Sequence, residues 1–261
     1  MKVGEGRSTV SRRIRILEML KTNGQVSVNE LSELLGVTGV TIRNDLEQLE
    51  RKKVLIRARG GAIRIGQHFS DEDYPISDKQ KKNLAEKKEI GKAAAQLVEE
   101  NNTIIIDSGS TTCELARNLK SFNALTVITN ALNVATVLAE YPNINVIVPG
   151  GMLKRNSQSL VGILAEKGFK DYFCDKLFLG VDGFDLDFGI STPDPEEAHL
   201  NQIMIGISKE IIVVADSSKF QRRGFAFISP VSSINTVVTD SGLLPQHRDK
   251  LVAIGVKVII A

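Results

Sequence analysis

The sequence predicts an α/β protein in two parts: a small helical headpiece and a larger domain built on a largely parallel sheet. Two patterns carry this prediction. Up to about residue 53, apolar side chains recur at helical spacing; from Thr103 onward, short β-branched runs alternate with helical stretches. Charge divides the chain in the same place. Residues 1–66 hold 13 Lys and Arg against seven Asp and Glu, whereas the remainder holds 20 against 24. A basic headpiece on a mildly acidic body points to an anionic partner for the headpiece alone, of which nucleic acid is the commonest.

Length and composition set outer limits. The 261 residues suffice for two domains, each with its own core. No apolar run approaches the roughly 20 residues that span a bilayer. The stretch "MKVGEGRSTVSRRIRIL" lacks the apolar segment and small-residue cleavage site of a signal peptide. The expectation is therefore a cytoplasmic protein with no membrane partner. The two cysteines, Cys113 and Cys174, form no CxxC pair and are expected to be buried thiols. With only three scattered histidines, neither a metal site nor a cofactor is expected.

The headpiece reads element by element. A first helix, from about Ser8 to Lys21, places Val10, Ile14, Leu17 and Leu20 at helical spacing and stops at Asn23-Gly24. A second opens at Ser27, which with Glu30 has the spacing of a capping box, and buries Leu31, Leu34 and Leu35. Gly36 ends it. Thr38 caps a third helix, which aligns Ile42, Leu46 and Leu49 on its inner side. Two short helices across a Gly-containing turn make a helix-turn-helix. After Lys53 the period drops to two: "VLIRARGGAIRI" predicts a hairpin of Val54–Ala58 and Ala62–Ile65 turning at Gly60-Gly61. The whole is a winged helix-turn-helix over residues 1–66.

The outer face of the third helix suits a DNA major groove. Thr38, Thr41 and Asn44 offer hydrogen bonds to phosphates or base edges, Arg43 can pair bidentately with guanine, and Val40 can touch a thymine methyl. Ser27, at the neighbouring helix start, is counted with this face. Arg57, Arg59 and Arg64 of the wing would grip phosphate or a minor groove.

Residues 67–79 read as a polar linker containing Pro75, followed by a helix from about Gln80 to Glu100 with Ile90, Ala94, Leu97 and Val98 as its buried stripe. The lysines between 79 and 88 read as a solvated face. Residues 80–261 then form the α/β domain. Its expected strands are 103–107, 125–129, 144–148, 176–180, 210–216, 235–240 and 256–260, each continuously apolar as two-sided burial requires.

Ligands gather at the carboxyl ends of such strands. After the first comes "DSGSTT", Asp107, Ser108, Gly109, Ser110, Thr111 and Thr112, leading into a helix over about Thr112 to Leu119. Amides and hydroxyls there suit a phosphate at a helix N-terminus. Thr129-Asn130, Gly150-Gly151, Asp182, Asp185, Glu197 and Lys219 are the further candidates near strand ends. Carboxylates for hydroxyls and a lysine for charge would fit a phosphorylated sugar.

The motif "VSVNELSELLGVTGVTIRNDLEQLE" with "RARGGA" resembles the DNA-binding domain of the DeoR family of bacterial transcription regulators. Many members carry Arg-Arg-Asp where this chain has Arg43-Asn44-Asp45, a difference that bears on which operator is read. "IDSGSTT", "TN", "GG", "LFLGVDG", "GIST", "EEA" and "ADSSKF" resemble the family's effector domain over roughly 79–261. The resemblance implies a fold related to ribose-5-phosphate isomerase, a sugar phosphate as inducer, operator DNA as partner, repression, and a homo-oligomer, dimer or tetramer. "RNSQSLVG" and "EEAHLNQIM" look most like regulators of N-acetylgalactosamine or galactosamine catabolism. The alternative is a working isomerase or aminosugar-phosphate deaminase. Aligned on "ADSSK", the chain has no lysine before Gly189-Ile190-Ser191-Thr192, and the enzymes' Glu falls near Asn201, with Glu197 one turn earlier. Binding without turnover, hence no catalytic residue, is the expectation.

Overall fold

The computed structural model describes residues 9–23, 25–51, 54–58, 60–64 and 74–261, in two compact units, 1–68 and 69–261. In the first unit, α1 (Thr9–Asn23), α2 (Val28–Leu35) and α3 (Gly39–Arg51) enclose a core of Ile16, Leu20, Leu31, Ile42, Leu46 and Leu49. Burying each such side chain contributes roughly 1.5–3 kcal/mol. Two expectations for this core need correction. Ile14 is 53% exposed and Ile16 takes the inward position, while Leu34 is 57% exposed and Val28 is buried in α2. The inward stripe of α1 also includes Arg12, only 6% exposed, because its guanidinium has a buried partner in Asp45 of α3. Apolar spacing alone could not show that.

Ser27 supplies its half of the expected capping box: its Oγ accepts from the Glu30 amide at 3.1 Å. Gly36 takes the left-handed conformation (φ 62°) that closes the turn. Thr38 caps α3, its Oγ1 accepting from the Thr41 amide at 3.3 Å. The wing is larger than a hairpin. β2 (Leu55–Ala58) and β3 (Gly61–Arg64) pair antiparallel, and β1 (Gln25–Ser27) joins β3 on its other edge. Gly61 is fixed there by contact, since a Cβ would lie 2.0 Å from the Val26 carbonyl oxygen. Ser8, Gly24, Arg59 and 65–73 lie outside the described residues, as do the side chains of Val10, Arg57 and Arg64.

The second unit opens with α4 (Ile76–Lys81), not with linker up to residue 79. Pro75 precedes it and Ile76 is buried, which anchors the turn. The expected long helix is broken: Asn83 sits in the left-handed region (φ 52°), and α5 runs Leu84–Ala95. Seven parallel strands form the central sheet: β4 (Thr103–Ile106), β5 (Leu125–Ile128), β6 (Ile144–Ile147), β9 (Cys174–Gly180), β12 (Ser208–Val214), β14 (Thr236–Thr239) and β15 (Lys257–Ile260). Their order is β15-β14-β12-β9-β4-β5-β6. All seven coincide with expected runs.

Alternate residues of each strand feed opposite cores, which is why the runs are apolar throughout. Ile104, Ile106, Phe178, Ile212 and Val238 pack on one side with α5, α6 (Ser110–Arg117) and α7 (Leu132–Leu138). Ile105, Leu177, Leu179, Val213 and Val237 pack on the other with α8 (Ile163–Lys170), α9 (Pro195–Gly206) and α10 (Pro245–Ala253). Two small additions were not expected. β7 (Met152–Lys154) and β8 (Ser159–Val161) form a hairpin, and β10 (Gly183–Asp185), β11 (Gly189–Thr192) and β13 (Ala226–Ser229) form an antiparallel sheet. Cys113 and Cys174 are buried, and burial pushes the Cys174 thiol up to about 11.

Candidate functional site

On α3, the side facing the core holds Ile42, Asp45, Leu46 and Leu49. The opposite side is exposed. Val40 is 62% accessible, Thr38, Arg43 and Asn44 are exposed, and Thr41 is half-buried with its hydroxyl 3.0 Å from that of Thr38. The helix is held by an ion pair no spacing argument revealed. Arg12 Nε donates to Asp45 Oδ2 and Arg13 Nε to Asp45 Oδ1 at 2.8 Å. One buried carboxylate thereby locks α3 to α1 and fixes which residues of α3 point out. Ser27 is exposed, but its hydroxyl is engaged as the α2 cap.

In the sheet, β4 leads on to β5 and β6 on one side, while β9 and β12 lie on the other. The strand order therefore reverses between β4 and β9. A crevice outside the carboxyl ends of strands at such a reversal is where ligands bind in open α/β sheets. Here the crevice is lined by Asp107 to Thr111 after β4, Gly180 to Asp182 after β9, and Ala215 with Lys219 after β12. Ser157 of the β7–β8 hairpin, Thr192 of β11, and Glu197 and Asn201 of α9 close it, with Ile76 and Lys79 from α4.

Its electrostatics are uneven. α6 starts at Ser110 with no side-chain cap, so its first-turn amides have no side-chain partner. A Cβ on Gly109 would press on the buried Thr112 hydroxyl, at 3.0 Å from its Oγ1. Asp182 accepts from Lys79 Nζ on both oxygens at 3.1 Å and from Lys219 Nζ at 3.0 Å. Burial works against its charge, but the Lys219 and Lys79 ammonium groups outweigh it and hold the carboxyl below its ordinary range. Two cations on one anion leave this triad net positive.

Deeper in, burial raises Asp107 well above the usual carboxylate range, and the neighbouring Glu197 adds to the effect. Burial raises Glu197 as well, against hydrogen bonds from Ser157 and Ser159. Ser159 Oγ donates to Glu197 Oε1 at 2.6 Å. Asn201, with its amide turned to satisfy both neighbours, donates to Asp107 Oδ1 at 3.2 Å and to the Glu197 carbonyl at 3.3 Å. The floor thus favours neutral acids and the rim is cationic, so the crevice offers hydrogen-bonding groups inside and positive charge at its edge.

Of the candidates, the crevice gathers Asp107, Ser108, Gly109, Ser110, Thr111, Asp182, Glu197 and Lys219. The others lie outside its lining, each for a structural reason. Thr112 is fully buried under the loop. Thr129 Oγ1 donates to the Ile106 carbonyl at 2.6 Å and caps the Ala131 amide, and buried Asn130 bonds the Leu160 amide through its carbonyl. Gly150 and Gly151 hold positive φ, and a Cβ on Gly151 would strike the Val161 carbonyl oxygen at 2.7 Å. Asp185 pairs with Arg223 at 2.7 Å and caps the turn at Asp187 and Phe188. Lys79 was missed in the other direction. It is no solvated lysine, and neither is Lys87, which is 3% exposed and donates to the carbonyls of Lys79 and Lys82.

A family model for the DeoR C terminal sensor domain matches residues 82–241, and one for the DeoR-like helix-turn-helix domain matches residues 12–68. The chain belongs to the DeoR family of transcription regulators. An Escherichia coli O157:H7 protein named "Putative aga operon transcriptional repressor" is 40% identical over 252 residues, 97% of this chain and 94% of its own. The transcriptional regulator GolR of Listeria innocua is 34% identical over 251 residues, 96% of this chain and 98% of its own. Among solved structures, ribose 5-phosphate isomerase A of Methanocaldococcus jannaschii is similar at a TM-score of 0.40 and 18% identity, covering 53% of this chain and 55% of that one. The protein is a DNA-binding transcription regulator, not an enzyme. Among the described residues no helix is long and apolar enough to cross a membrane.

Proposed function

We propose that the protein is a cytoplasmic repressor of a sugar or aminosugar catabolic operon, released from its operator by a phosphorylated sugar. The observation that carries this reading is the Lys79–Asp182–Lys219 triad beside the uncapped start of α6, a cationic rim on the sensor half of a chain whose other half reads DNA. The phosphate docks against the Ser108–Thr111 loop, and the two lysines turn from Asp182 toward it. Glu197, Asp107 and Asn201 take the sugar hydroxyls. The protein acts as a homo-oligomer, each protomer presenting one α3 to a half-site. The exposed face of Val40, Arg43 and Asn44 reads bases, with Thr38 and Thr41 on phosphate. A relative named as an aga operon repressor supports repression of a catabolic operon.

The test separates the two halves. Replacing Ser108 and Thr111 together by Ala should leave operator affinity intact but abolish release by any member of a sugar-phosphate panel. Arg43→Ala should instead cost specific DNA binding by about 1–3 kcal/mol while leaving sugar-phosphate binding unchanged. Intact release in the double variant would remove the loop from the effector site. Unaltered operator affinity in Arg43→Ala would remove α3 as the reader.

A further inference from the structure

The crevice does not end at the triad. Beneath the 108–111 loop it encloses about 50 Å³, whereas a wider chamber beyond Lys79, Asp182 and Lys219 encloses about 300 Å³. One water needs on the order of 10–15 Å³ on this scale. The narrow part holds the phosphate and the hydroxyls nearest it. The far end of a longer ligand with its phosphate at the loop then extends past the triad into the wider chamber.

That chamber brings cations of its own. Lys82, just beyond α4, and Arg222 line it beside Lys79 and Lys219. Its carboxylates are already engaged. Asp216 accepts from Asn83 at 2.9 Å and from the Ser218 amide at 3.1 Å. Asp182 holds the two triad lysines, and Asp78 pairs outward with Lys81. Buried Lys87 is used up on two carbonyls. Among the described residues no carboxylate pairs with Lys82 or Arg222.

We propose that the wider chamber is a second anion subsite, so that the effector is a doubly anionic sugar phosphate. One phosphate sits at the loop; a second phosphate, or a carboxylate, at the far end of the chain meets Lys82 and Arg222. This rests on the effector reading above and narrows its ligand class. A charge-assisted contact is roughly twice as strong as a neutral one, so the second group dominates selectivity.

Titration calorimetry on the full chain tests this with matched ligands: fructose 6-phosphate against fructose 1,6-bisphosphate, and glucose 6-phosphate against 6-phosphogluconate. The doubly anionic member of a pair should bind at least about tenfold tighter. Arg222→Ala and Lys82→Ala should each weaken it by about threefold to tenfold and leave the monophosphate within about twofold. Lys120→Ala, which removes the same charge from an exposed position beyond the far end of α6, should move neither. Equal affinities within both pairs, or parallel losses for both ligands in Arg222→Ala, would overturn the second subsite alone. Failure of every sugar phosphate to bind would overturn it together with the effector reading.

Discussion

At the residue scale, two buried carboxylates do opposite things. Asp45 is 2% exposed and answers two guanidinium groups, one of them buried. Removing it strands the Arg12 charge in the core. Asp45→Ala should cost the DNA-binding unit about 3–5 kcal/mol, read as a lower denaturation midpoint, with Arg12→Met in the same background restoring part of the loss. Asp107 has no cation of its own in the crevice floor, and its folded-state pKa lies well above 3.8. The folded protein therefore binds this proton more tightly than the unfolded chain does. Its neutral form carries no penalty below about pH 4, and stability is lost as pH rises through the raised pKa. Asp107→Asn removes that loss. The variant should melt close to wild type at pH 4.5 and progressively higher than wild type toward pH 8, a difference measured by paired thermal scans. A constant difference across that range would mean that Asp107 ionises normally.

At the element scale, legibility followed burial. Each of the seven sheet strands was readable because a strand covered on both faces must be apolar throughout. The short pieces were not. β1, β7, β8 and β10 have three residues each, too few for any period, and their partners are set by tertiary contact. Lys79 lay hidden in a lysine-rich stretch because its partner Asp182 is 103 residues away. Asp45 was likewise read only through its neighbours, since Arg12 lies 33 positions back. Packing of one helix on another was also unreadable, and Gly91 shows why it matters. A Cβ there would stand 2.6 Å from the Glu114 carbonyl carbon and 2.7 Å from the Leu115 amide, so α5 crosses α6 on bare backbone. Gly91→Ala should cost about 1–3 kcal/mol by forcing the helices apart. Because α6 also carries Ser110 and Thr111 in the crevice, ligand affinity should fall with it. Gly206→Ala, at a glycine of α9 with nothing within 4 Å of a new Cβ, should be neutral or stabilising by up to about 1 kcal/mol. If both alanines behave alike, close backbone approach is not what holds α5 on α6.

At the scale of the whole molecule, the core of the first unit shares no residue with the two that flank the sheet, whereas those two are joined through the strands of one sheet. Units with no common core unfold separately. Calorimetry should resolve two transitions: the lower should be the one that Asp45→Ala moves, and the higher the one that Gly91→Ala moves. A ligand raises only the transition of the unit it binds, by RT ln(1 + [L]/Kd). Operator duplex should therefore raise the first and a crevice ligand the second. Supplying both at once tests control itself. If the two sites share one conformational equilibrium, whatever the ligand takes from DNA affinity, DNA must take from ligand affinity by the same factor. Couplings of this kind run to about 1–3 kcal/mol, so with both present the shifts should fall short of those seen singly, by matching free energies. Shifts that simply add would show a reader and a sensor on one chain with no communication between them, and the release mechanism would be lost even with both sites intact.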